Sequence, residues 1–160
     1  MNHPLPTAYL RHLSEAVGFD LVGFARAEPI PPDALYSWIE AGHAADMDWM
    51  TARAAERLDV TQLLPAAKTV VVFANNYYRD DPAAQDSPIA RYARGGDYHS
   101  TLRDRMKAFR KAIQEAYPGI GTYGSVDSGP LMEKVWAARA GLGYVGRNGC
   151  FITEPYGSWV

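Results

Sequence analysis

The sequence predicts an α/β protein, an α+β sandwich in which a mixed sheet is flanked by helices. Three observations carry this reading. Helix-type and strand-type patterns alternate along the chain. The run Lys68 to Ala74, KTVVVFA, is short and continuously apolar, as in a central strand covered on both faces. Tyr98 to Tyr117 places Leu102, Met106, Phe109, Ile113 and Ala116 at spacings of three and four, the pattern of a helix laid on a core.

The remaining elements follow in order. Thr7 to Val17 reads as a helix, with Leu10, Leu13 and Val17 on one face and Gly18 at its end. Asp20 to Ala25 is a strand. Pro31-Pro32 opens a second helix, which runs through Ile39 and stops near Gly42. MDWM, Met47 to Met50, lies in or beside a short helix that reaches Arg57. Asn75 to Gly96 is loop-like, with Pro82, Pro88 and a Gly95-Gly96 pair, and loops of this length are often functional. Pro118-Gly119 ends the long helix. Thr122 to Val126 is a strand, and Pro130 to Ala140 a helix with Leu131, Val135 and Ala138 on one face. Gly141 to Gly149 is a glycine-rich loop, and Phe151 starts another strand.

Bulk properties narrow the class. A chain of 160 residues, 48% hydrophobic and 21% charged, is one globular domain with a real core. Sixteen Lys and Arg against 18 Asp and Glu give a net charge of −2, which excludes a general polyanion binder. The single cysteine, Cys150, excludes an internal disulfide framework, and no Cys/His cluster has zinc spacing. No apolar run approaches about 18 residues, so a cytoplasmic setting without membrane is expected. The last residues, TEPYGSWV, are apolar and β-prone with no turn signal, and the chain is expected to be the front part of a longer protein. FITEPYGSWV would then expose strand and aromatic surface and favour self-association.

Several segments carry candidate chemistry. In SVDSGPLMEK, Asp127 follows a strand and precedes a helix. It reads equally as a helix cap or as a functional acid. Proline prefers the first helical position, which makes Gly129 the cap and leaves Asp127 outside. A working acid at neutral pH would need enclosure to lift its pKa well above about 3.9, at a cost of about 4 kcal/mol. GLGYVGRNG, which holds Asn148, has a cradle's glycine content, but the helix precedes it, so the dinucleotide fingerprint fails; the plainer reading is a helix cap at Gly141 followed by a turn. In RYARGGDYH, Asp97 reads as the cap of the long helix, and Tyr98 and His99 stand at a junction suited to a large polar cofactor. His99 reads equally as a solvated first-turn residue. Arg57 reads as a surface residue, MDWM as core, and Cys150 as a buried structural thiol.

Taken together and in this order, MDWM, Arg57 with Leu63-Leu64-Pro65, RYARGGDYH, VDSGPLMEK, AGLGYVGRN and YGSWV resemble the N-terminal part of epoxyqueuosine reductases, from about residue 8 onward. The resemblance implies a nitroreductase-like, corrinoid-binding fold related to reductive dehalogenases. It implies reduction of epoxyqueuosine to queuosine in the tRNA anticodon loop, using cobalamin and 4Fe–4S clusters. The clusters belong to a following ferredoxin-like domain. Residues 1–160 would then be a single cobalamin-binding domain that lacks the cluster domain and is inactive alone, and the full-length protein a monomer. The family's proton-donating aspartate falls on Asp127. Its corrinoid contacts fall on Arg57 and Phe151, with Tyr98, His99, Asp127 and Asn148 as further cofactor-binding residues and no protein-held metal. Some members carry a cysteine where this chain has Ala90, so a thiol role there is absent. No histidine stands in a DxHxxG-type arrangement, so the cobalt is expected to lack a protein histidine. The rival reading is a non-catalytic corrinoid-binding module. A domain that only positions tRNA is disfavoured by the charge of −2.

Overall fold

The computed structural model describes residues 5–80 and 87–160. In chain order it contains α1 (Thr7–Ala16), β1 (Leu21–Arg26), α2 (Asp33–Glu40), α3 (Asp48–Ala52), α4 (Ala54–Leu58), β2 (Thr69–Ala74), α5 (Tyr98–Ala116), α6 (Glu133–Arg139), β3 (Tyr144–Val145) and β4 (Phe151–Ile152). The architecture is helices with small antiparallel sheets, α/β in character. β1 pairs with β2 in the register Leu21 to Ala74 through Arg26 to Thr69, and β3 pairs with β4.

The two-residue alternation of β2 sorts its side chains to opposite faces. Val70 and Val72 pack on a cluster of Ala25, Ile30, Leu35, Ala54, Leu58, Val60 and Trp136. Val71 and Phe73 pack on Leu10, Phe109 and Ile113. Phe73 stacks on Phe19 at 4.1 Å and meets Phe109 edge-on at 4.8 Å. β2 is thus covered on both faces, as its apolar run predicts, yet its residues are only half-buried. Among the described residues its second edge pairs with no strand.

Helix ends follow their glycines. At the end of α6, Gly141 has φ 74° and its N–H reaches Ala138 O, while Leu142 N–H reaches Ala137 O. This double closure needs a left-handed residue that glycine supplies without strain. The same pair of bonds closes α1 at Gly18 and α2 at Gly42. Gly23 serves a different need: a Cβ there would lie 2.8 Å from Ala140 Cβ, so its absence lets the end of α6 press on β1.

Five expectations are corrected. The expected mixed sheet is antiparallel throughout the described residues. The Thr122–Val126 stretch forms no strand; Arg110 of α5 instead binds Thr122, with Nε to Oγ1 and Nη2 to O both at 3.0 Å. The helix expected from Pro130 begins at Glu133, with Met132 at its cap position, so Gly129 is not the cap. MDWM is not wholly core: Met50 packs on the first cluster, but Trp49 is exposed, and the expected single helix breaks at Arg53 into α3 and α4. Ala116, the last of the expected stripe on α5, is also exposed.

Positions 81–86 of the loop expected over Asn75 to Gly96 lie outside the described residues; its described part is irregular apart from a 3-10 turn at Arg91–Ala93. Near the end of the chain, Tyr77 N–H bonds Trp159 O at 2.9 Å, and the Trp159 ring meets Tyr77, Tyr78 and Arg91. Among the described residues no helix is long and apolar enough to cross a membrane.

Candidate functional site

Asp127 lies six residues before α6, so its carboxylate does not cap that helix. Its φ of 53° is in the left-handed region that non-glycine residues rarely adopt. Ser128 N–H donates to Val126 O at 2.6 Å, which makes Asp127 the centre of a three-residue turn, a strained form. Strain of this kind persists where surrounding contacts enforce it, and it clusters at functional sites.

The contacts come from the first turn of α5. Tyr98 O–H donates to Asp127 Oδ2 at 2.7 Å. His99 Nε2 stands 3.6 Å from the same oxygen. Asp97, at the cap of α5 as its sequence predicts, accepts from His99 N–H at 3.0 Å and lies 2.9 Å from His99 Nδ1. The cap thereby fixes the histidine ring as well as the helix. The Tyr98 and His99 rings stack at 4.1 Å. The tripeptide DYH thus brings two side chains to one carboxylate and a second carboxylate behind them.

These contacts have electrostatic consequences. The hydrogen bond to Asp127, then burial and the nearby negative charge, push the Tyr98 phenol up to about 12. Its ionised form is disfavoured only in the folded state. The stabilising effect is complete below the ordinary phenol value of 10.0 and is lost as pH rises toward about 12. Tyr98→Phe is therefore expected to flatten the fall in stability across that window, read by urea unfolding against the parent. An unchanged slope would contradict the contact. The bond and salt contact from His99 hold the Asp97 carboxyl below its ordinary value.

A trough of about 1820 Å³ runs along β2 and α5, and its wall includes Tyr98, Asp127, Glu133, Lys134, Cys150 and Phe151. Of the residues expected at the site, Tyr98, His99 and Asp127 meet directly, and Phe151 lines the same trough. Arg57 lies in the last turn of α4; its Nε is buried with no hydrogen-bond partner among the described residues. Asn148 is not in the trough wall. Its Oδ1 accepts from Cys150 N–H at 3.1 Å and closes the glycine-rich turn. Cys150, expected to be buried, is exposed, because this tight turn leaves it no covering element.

Two groups were missed by the sequence reading. Glu133 keeps an exposed surface yet stands in the trough wall. Burial there pushes its carboxyl up, its own backbone N–H opposes, Asp127 raises it further, and Arg57 draws it down. Ser125 Oγ is buried without a hydrogen-bond partner among the described residues. The MEK tripeptide at the helix start was the available signal for Glu133; nothing in sequence marked Ser125. Among the described residues no group of three His, Cys, Asp or Glu side chains can hold a metal ion.

The site is thus a carboxylate in a left-handed turn, bonded by the Tyr98 phenol, with the His99 imidazole 3.6 Å away, in the wall of a large trough. The family model described as "Epoxyqueuosine reductase QueG, DUF1730" matches residues 57–128. The chain is 40% identical over 161 residues to an epoxyqueuosine reductase of Gloeobacter violaceus, covering 97% of this chain and 50% of that protein. A solved epoxyqueuosine reductase from Streptococcus thermophilus superposes with a TM-score of 0.78 at 26% identity, over 95% of this chain and 43% of the other. Another, solved with an epoxyqueuosine-modified tRNA-Tyr stem loop, gives 0.79 at 26% identity, over 95% and 42%. Over almost its whole length the chain is similar to epoxyqueuosine reductases. It spans about half the length of the curated relatives it matches.

Proposed function

We propose that residues 1–160 form a single cobalamin-binding domain, an α+β sandwich of the nitroreductase-like type. In this reading it works with a ferredoxin-like domain that carries 4Fe–4S clusters and reduces epoxyqueuosine to queuosine in tRNA. The observation that carries the reading is Asp127, held at φ 53° by a 2.7 Å bond from Tyr98 beside the trough.

The residues present fit a corrinoid. The trough exceeds the roughly 300–1,000 Å³ of drug-sized pockets. Arg57 Nε and Ser125 Oγ are buried polar atoms without partners among the described residues, which a ligand rich in amides would satisfy. Tyr98, Asp127 and Phe151, which line the trough, would hold it, with Arg57 near Glu133 and His99 near Asp127 behind the wall; Asn148, outside the wall, would act only by shaping the glycine turn. When bound, cobalamin supplies the electrons that open the epoxide.

The chain's own contribution is the proton. Asp127 gives one proton to the epoxide oxygen as the first C–O bond breaks, and a second proton, from solvent, lets the oxygen leave as water when the second C–O bond breaks. The Asp127 side chain is 53% exposed, so the enclosure that keeps a carboxylic acid protonated near neutral pH must come from ligand and substrate. Tyr98 holds Oδ2 by donating to it and so fixes the carboxyl in its strained turn. With a net charge of −2, this domain leaves most tRNA phosphate contacts to the second half of the protein. The protein works in the cytoplasm, on a tRNA anticodon loop.

The test is single-turnover reaction of an epoxyqueuosine-containing anticodon stem-loop with a form that carries the second half found in the relatives, loaded with cobalamin and clusters. The expected product has lost one oxygen by mass spectrometry. Loaded protein that binds the stem-loop but leaves the epoxide intact would overturn the assignment.

A further inference from the structure

We propose that Asp97 and His99 form a proton relay that reloads Asp127 after each turnover. The proposal rests on the reading of Asp127 as the proton donor and adds how that donor regains its proton.

Asp127 can donate only once before it must be reprotonated. Its Oδ2 already accepts from Tyr98, whose phenol, pushed up to about 12, holds its proton too tightly to supply it. The other group facing Oδ2 is His99 Nε2, at 3.6 Å. That gap is longer than a hydrogen bond, but catalytic contacts often tighten only when substrate is bound. Behind the ring, Asp97 Oδ1 is 2.9 Å from Nδ1. A carboxylate there fixes the neutral ring with its proton on Nδ1 and leaves Nε2 to face Asp127. The His99 side chain is 34% exposed, so the ring reaches both solvent and the site.

The steps balance as proton transfers alone. Imidazolium His99 passes its Nε2 proton to the Asp127 carboxylate that has just given one to substrate. Neutral His99 remains in the Nδ1–H form against Asp97, and solvent water returns a proton to Nε2. The other charged or titratable groups near this line are Tyr92 beside Tyr98, Arg103 near Asp97, and Glu133, whose carboxyl is raised by burial and by Asp127 and drawn down by Arg57.

Asp97 also caps α5, so its two roles must be separated. Asp97→Ser keeps a good cap but is too short to hold the ring. The first measurement is made on this chain without substrate: nitrogen-15 shifts of the His99 ring. The parent is expected in the Nδ1–H form, and Asp97→Ser is expected to lose that preference while keeping its helix content. A parent ring in the Nε2–H form would overturn the relay. The second uses the longer, loaded form. His99→Gln is expected to slow turnover about 10²-fold, the low end for a positioned acid–base group. Added imidazole should restore much of the rate, with the stem-loop KM unchanged. A rate within a few-fold of the parent, or a loss that imidazole does not rescue, would overturn it. A loaded parent that never reduces epoxyqueuosine would remove the proposed reaction, whereas the ring-nitrogen shifts judge the relay separately.

Discussion

Asp127→Asn in the longer, loaded form should slow epoxyqueuosine reduction by about 10²- to 10⁴-fold, the usual contribution of a general acid. Asparagine keeps the size of the side chain and is among the residues that best tolerate a left-handed backbone, so the turn at φ 53° survives. Its amide oxygen still accepts from Tyr98. What it cannot do is surrender a carboxylic proton. Cobalamin affinity should therefore hold while the rate collapses. The plain alternative, a helix cap, predicts near-neutrality, since Asn and Asp cap about equally. That alternative is already weakened by the start of α6 at Glu133. Single-turnover rates within a few-fold of the parent would remove Asp127 from the chemistry.

Trp136→Ala should cost about 3–5 kcal/mol of stability, the range for emptying a large aromatic site. Trp136 is 2% exposed and anchors the cluster that joins α6 to β1, β2 and the α2–α4 region. Arg139 sits 5.1 Å from its ring and bonds Glu28 O at 2.7 Å, so the loss would loosen the turn after β1 as well. Against a typical total of 5–15 kcal/mol, the variant would be close to unfolding at physiological temperature. The indole N–H has no partner among the described residues, so it contributes no hydrogen bond to lose. Trp136→Phe should therefore cost much less than Trp136→Ala. Equal losses for both, measured by urea unfolding, would contradict a packing origin.

The elements legible in sequence were those whose signal is local. α1 and α5 show their apolar stripes, and the glycines after α1, α2 and α6 mark closures that demand a left-handed residue. β2 was legible because an apolar run of this length needs cover on both faces. The stretch around Asp127 was misread for a physical reason. Its residues favour a strand, but no strand lies beside them among the described residues, and Arg110 holds them on α5 instead. Pro130 looked like a helix start, yet it belongs to a strained connection that positions Asp127. Motif order singled out Asp127, which the fold brings to Tyr98 and His99, and Asp97 was read correctly as a cap. That the same cap orients His99 toward Asp127 depends on a turn 28 residues away in sequence, which no local pattern encodes. Cys150 shows the same limit: its exposure follows from the shape of the glycine turn, not from its chemistry.

The most direct measurement is titration of this chain with cob(II)alamin, followed by absorbance and electron paramagnetic resonance. The account predicts saturable binding at a single site, weakened by substitution of Arg57. It also predicts no histidine nitrogen splitting on the cobalt signal, because His99 is engaged by Asp97 and faces Asp127. Absence of any spectral change, or a cobalt coordinated by a protein histidine, would contradict it.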